Sequence, residues 1–164
     1  AGDLFPSGGG GEDLLGGGDR LSAATQAGVG SLLVGLPAVS ACLLIAQQII
    51  SAAESVMSSQ QKCGRLVARI TALVPHLEAL EGRLAHEPGQ RAAFDPLLLQ
   101  LKGVLMDSLE TVERWGEHTQ SAWKALLHIP MARRFEREFD ELNERLSTAA
   151  NDLSLTLNIR NAMG

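Results

Sequence analysis

Four histidines (His76, His86, His118 and His128), two cysteines (Cys42 and Cys63) and an acid-rich run from Glu136 to Glu144 hold the chemically capable groups of this 164-residue chain. No histidine stands four residues from a second ligand, the spacing that a zinc site on one helix face needs, so no metal site is assigned. The acids of 136–144 have the spacing of an exposed helix surface, not of a secluded carboxylate pair tuned for proton transfer. The run "GGGGEDLLGGG" at residues 8–18 lacks the Lys-Ser/Thr that closes a phosphate loop and follows no strand, which argues against a nucleotide. Cys63 reads as a small core residue near a helix start, and both thiols are expected to be reduced in an intracellular protein. No catalytic residue, metal or cofactor is expected, and the chain is not read as an enzyme.

Bulk charge narrows the partners. Nineteen acids against 14 bases give a net charge of -5, so there is no overall basic field to release phosphate counterions and nucleic acid is not expected as a partner. The chain opens on Ala1, and Glu12, Asp13 and Asp19 precede its long apolar run where a secretory signal would carry bases. A fragment of a larger protein is the expectation. Residues 1–19 contain eight of the 17 glycines and read as a flexible head, because glycine loses the most backbone entropy on ordering.

Elements that could position side chains begin after this head, and they read as helices. Leu66, Ile70, Leu73, Leu77, Leu80 and Leu84 alternate steps of four and three, which puts them on one helical stripe. "AHEPGQ" at 85–90 ends that helix, and Asp95-Pro96 is expected to cap and open the next, striped by Phe94, Leu98, Leu101, Leu105, Leu109 and Val112 toward Trp115. Pro130 opens a third pattern through Phe135, Phe139, Leu142, Leu146, Ala149, Leu153 and Leu157. Strand and hairpin signals are nearly absent. Three amphipathic helices with short loops need a fourth to close a shared core, so the expected class is all-α: an antiparallel four-helix bundle over residues 37–160.

The fourth helix must come from residues 21–53, which contain no Asp, Glu, Lys, Arg or His. It is expected to start near Pro37 and run through Cys42, Ala46 and Ile49 to Met57. A helix showing water so few polar groups is either covered on most sides or faces something other than water. The eleven Val, Leu and Ile residues between 29 and 50 would favour bilayer insertion by only about 3–7 kcal/mol in total, at roughly 0.3–0.6 each. Burial in a protein core supplies on the order of 1.5–3 kcal/mol per side chain, so packing within the bundle wins at rest. Such a segment suits a conditional switch, with Leu32, Leu33, Val34, Leu36, Val39, Leu43, Leu44 and Ile45 as its membrane-inserting residues. Ala23, Ala27, Ser31 and Gly35 recur every four residues, giving residues 20–36 either a smooth side for close helix packing in lipid or a plain flexible lead-in to the core helix.

"QQKCGRLVARITALVPHLEAL", "FDPLLLQLKGVLMDSLETVERW" and "RRFEREFDELNERLSTAANDLSLTLNI" together resemble the N-terminal four-helix bundle of the mixed-lineage kinase domain-like family. That fold is similar to those of HeLo-type fungal death effectors and of the coiled-coil domains of some plant immune receptors. The resemblance covers about residues 38–159. It implies an executioner domain in regulated cell death or innate immunity, cytoplasmic at rest, that oligomerises, moves to the plasma membrane and permeabilises it. Implied partners are further copies of itself, anionic membrane lipids, and a downstream kinase-like or nucleotide-binding receptor region of the same chain. The Gly-rich head and acidic net charge depart from the family pattern.

Under that resemblance, Lys62, Arg65, Arg69, Arg133, Arg134 and Arg137 are the candidates for lipid headgroups, each contributing about 1 kcal/mol near an anionic surface. The competing reading makes them a solvated helix face paired with Glu136, Glu138 and Asp140. The competing function is a helical oligomerisation or adaptor module without membrane activity.

Overall fold

The apolar steps of three and four become buried helix faces. A computed structural model of the chain describes residues 35–54, 61–120 and 128–163. Among the described residues the α-helices are α1 (Ala38–Glu54), α2 (Gln61–His86), α3 (Arg91–Gln120) and α4 (His128–Met163), with a 3-10 turn at Pro88–Gln90 between α2 and α3. Among the described residues no strand occurs, and the all-α class is as expected. Leu66, Ile70, Leu77, Leu80 and Leu84 of α2 are buried and Leu73 is half-buried; the whole α3 stripe from Phe94 to Trp115 is buried. On α4, Phe135, Phe139, Leu142, Leu146, Ala149 and Leu153 enter the same core.

One boundary differs from the sequence expectation. α3 starts at Arg91, not at Asp95-Pro96, and holds Pro96 inside it. The 3-10 turn runs straight into the helix, with Arg91 already at φ -56°, ψ -39°. Pro96 therefore forfeits only the bond its N–H would have made to the Ala92 carbonyl, close enough to the helix start for the helix to survive it.

Consecutive helices reverse direction, yet the packing neighbours are not simply consecutive ones. Ser40 near the start of α1 donates to Glu81 Oε2 near the end of α2 at 2.5 Å, so that pair is antiparallel. On α3 and α4, Arg145 pairs with Asp107 and Arg114 with Glu138, rising numbers on one helix meeting falling numbers on the other. On α2 and α4, Lys62 meets Asp140, Arg69 meets Ser147 and Arg83 meets Asn161, each 78 residues apart. A constant offset means that these two helices run parallel. The extended seams are α1/α2, α1/α3, α2/α4 and α3/α4, so α2 and α3, joined by the shortest connection, face each other across the core diagonal.

α1 answers the question posed by its missing charges. Val39, Ala41, Cys42, Leu43, Ile45, Ala46 and Ile49 are buried, which is far more than one narrow stripe. The remaining strip of Ser40, Leu44, Gln47, Ser51 and Glu54 is half-buried or exposed. The helix is thus covered on most sides, and its sparse polar groups suffice for the strip that meets water.

Candidate functional site

The opening turns of α4 concentrate basic residues. Arg133, Arg134 and Arg137 are all exposed, and the first turn of α4 contains no acid, so the partial positive charge at the helix start adds to theirs. The neighbouring acids pair elsewhere. Lys62 Nζ of α2 lies 2.5 Å from Asp140 Oδ2 and 3.3 Å from Glu136 Oε1. Arg114 of α3 donates to Glu138 Oε1 at 2.9 Å and stands 3.8 Å from Glu110. Helix geometry explains this division: Glu136 and Asp140, four apart, share the edge of α4 toward α2, whereas Glu138 lies on the edge toward α3. Among the described residues no ion pair holds Arg133, Arg134 or Arg137. The local pairing with Glu136, Glu138 and Asp140 is replaced by pairing across helices.

The other three candidates divide. Lys62 is occupied by its two carboxylates, and the hydrogen bond it donates to Asp140, assisted by Glu136, holds its ammonium above the ordinary lysine value of 10.5. Arg69 donates to Ser147 Oγ at 2.5 Å and to the Asn143 carbonyl at 3.2 Å; both acceptors are neutral, so its charge is anchored without being cancelled. Arg65 is exposed. Because α2 and α4 run parallel, all six residues lie toward the end of the bundle where these two helices begin.

Aromatic packing stiffens this end. Trp115 meets Phe135 edge-on at 5.3 Å between ring centroids, Phe139 lies 6.5 Å from Trp115, and the His118 ring is 5.6 Å from Phe135. The Arg114 guanidinium sits over Phe135 at 5.8 Å. Arg114 thus ties two acids and a ring together, a role invisible in the sequence because Glu138 lies 24 residues away. Asn143 was equally silent: its Nδ2 donates to the Phe139 carbonyl at 2.9 Å and to the Lys62 carbonyl at 3.2 Å.

The apolar candidates take several positions. Val39, Leu43 and Ile45 are in the core, Leu44 packs half-buried against it, and Leu36 is 43 % exposed just before α1. Leu32, Leu33 and Val34 lie outside the described residues, as do Ala23, Ala27 and Ser31. Gly35 has φ 82°, a left-handed conformation, so the right-handed helix of α1 does not continue back through it in this state. Among the described residues no helix is long and apolar enough to cross a membrane. Both cysteines are buried thiols. Cys42 donates to the Leu98 carbonyl at 3.2 Å, and burial pushes its thiol up to about 12 against a weaker downward pull from Lys102.

No curated protein and no solved structure matches the chain significantly. The family described as mixed lineage kinase domain-like N-terminal domain matches residues 39–163, a span that begins one residue inside α1 and ends with α4. With that match laid over four helices sharing one core, the chain belongs to the mixed lineage kinase domain-like N-terminal domain family.

Proposed function

We propose that this domain is the executioner module of a cell-death or innate-immune effector, resting in the cytoplasm and acting at the plasma membrane. Several copies assemble there and permeabilise the bilayer, under control of a kinase-like or nucleotide-binding receptor region downstream in the same chain. The observation that supports this reading best, beside family membership, is the group Arg133, Arg134 and Arg137: three exposed bases whose neighbouring acids are occupied by other helices. In a chain of net charge -5, such a cluster makes a local cationic surface that anionic headgroups complement. Arg65 extends it on α2.

Magnitudes describe what activation must supply. Withdrawing Val39, Leu43, Ile45 and Ile49 from the core forfeits roughly 6–12 kcal/mol of burial at about 1.5–3 each. Bilayer insertion of the same four returns only about 1–2 kcal/mol. Release of α1 into lipid therefore requires assembly or an activating signal, which suits a domain silent until several copies gather. Leu36, exposed just ahead of α1, has little such burial to overcome and enters first.

Dye release from vesicles containing anionic lipid tests the proposal. Replacing Arg133, Arg134 and Arg137 together by Gln removes about 3 kcal/mol of surface attraction and weakens vesicle binding roughly a hundredfold, with leakage falling accordingly. Arg91→Gln, an exposed arginine at the other end of the bundle, leaves both unchanged. Equal leakage from the triple variant and the parent would overturn the reading. The rival, a helical adaptor without membrane action, draws on the burial of Val39, Leu43 and Ile45; it predicts self-association by light scattering with no leakage from the same vesicles.

A further inference from the structure

The constant offset of 78 residues between α2 and α4 sets Ala72 level with Ala150. Where two alanines meet in register, neither helix fills the seam, and a notch of about 320 Å³ opens beside them. Leu73 and Leu146 give it apolar walls, and Arg69 and His76 stand along its length with Ser147 and Asn151. That volume lies at the small end of ligand pockets, which run from roughly 300 to 1,000 Å³.

Its charge sets it apart from the other described grooves. The two grooves between α3 and α4 are lined by Glu141 together with Glu144 in one and with Asp107, Glu110 and Glu138 in the other. The α2/α4 notch has no Asp or Glu in its lining. Arg69 donates there only to the neutral Ser147 hydroxyl and Asn143 carbonyl, so the guanidinium keeps its full charge and has further N–H groups to offer. His76 is exposed two turns further along α2, where its ring offers a polar group at the other end of the trough. A cation and a polar donor flanking a short apolar trough complement a ligand with one anionic group and a compact hydrocarbon body.

We propose that this notch is a binding site for a small amphiphilic monocarboxylate, its carboxylate held by Arg69 and its hydrocarbon part lying between Ala72 and Ala150 over Leu73 and Leu146, toward His76. The site works in free solution and does not depend on the membrane reading. Backbone-amide NMR of the full chain, titrated with hexanoate, tests it directly. Saturable shifts centred on Ala72 and Ala150 are expected. Hexylamine, with the same hydrocarbon body and the opposite charge, is expected to bind at least about tenfold more weakly. Ala72→Leu fills the notch from an exposed position without touching the buried core, and Arg69→Gln removes the charge; each is expected to abolish saturation while the far-UV spectrum stays helical. Unsaturable shifts with hexanoate, equal binding of hexylamine, or undiminished binding by a folded Ala72→Leu protein would each overturn the proposal.

Discussion

The two parallel helix pairs of this bundle share one buried core but differ in what ties them across their seams. Along α1/α3, the most extensive seam among the described residues, the helices contribute fully buried Cys42, Ile45 and Ile49 and Leu98, Leu101 and Leu105, and the Cys42 thiol donates to the Leu98 carbonyl between them. Along α2/α4 the visible ties are straps from basic residues of α2 to polar groups of α4: Lys62 to Asp140, Arg69 to Ser147, Arg83 to Asn161. Burial gives the first seam its strength and is not weakened by charge screening; the straps give the second its register, and the Lys62–Asp140 ion pair among them is screened by salt. The polar seam can consequently leave a notch at Ala72 and Ala150, a gap of a kind the apolar seam would lose stability to keep.

The largest expected effect sharpens this contrast. Ile45→Ala should cost about 2–5 kcal/mol in urea unfolding, as loss of a fully buried side chain with a residual cavity does. A cost below about 1 kcal/mol would mean that α1 is not anchored by burial at all.

An alkaline titration is next. The Cys42 thiol is raised from 9.0 to about 12 in the folded chain, so its contribution is complete below about pH 9 and is lost progressively as pH climbs toward 12. Cys42→Ala should remove that alkaline loss, read as a flatter stability curve over this window. A thiol reagent at mildly alkaline pH should leave native Cys42 unmodified and label it on denaturation.

On the polar seam the expected effects shrink. Asn143→Ala should cost on the order of 0.5–1.5 kcal/mol, the worth of an ordinary hydrogen bond, because Asn143 bridges the Lys62 and Phe139 carbonyls. Lys62→Met should be smaller still, lowering the thermal midpoint at low salt and leaving it nearly unchanged at high salt. The folded Lys62 lies above 10.5, so its contribution is present below that pH and disappears as pH rises through the folded value. An effect of Lys62→Met that matched Ile45→Ala and ignored salt would erase the distinction between the seams.

Much of the core was legible residue by residue. Phe94, Leu98, Leu101, Leu105, Leu109, Val112 and Trp115 repeat at a helix's own period, and each is buried, because one stripe on one helix is a local property of the sequence. Legibility weakened where a local signal competed with its surroundings. Asp95-Pro96 looked like a helix start, but the turn at Pro88–Gln90 had already set Arg91 in helical conformation. The candidate site was half legible for the same reason: composition located the bases of α2 and α4, whereas the partners of Glu136, Glu138 and Asp140 depended on which helix lay beside each edge.

From the sequence alone came the helical class, the stripes that form the core, an uncharged helix needing cover on most sides, and the family resemblance that the match over residues 39–163 bears out. Tertiary structure alone decided that α2 runs parallel to α4, that Lys62 and Arg114 take the acids and leave Arg133, Arg134 and Arg137 without them, and that Ala72 stands opposite Ala150. The physical reason is range. Helix periodicity is written in steps of three and four along one chain segment, but ion pairing and cavities arise between segments 78 residues apart, whose relative height is fixed only when the whole core closes.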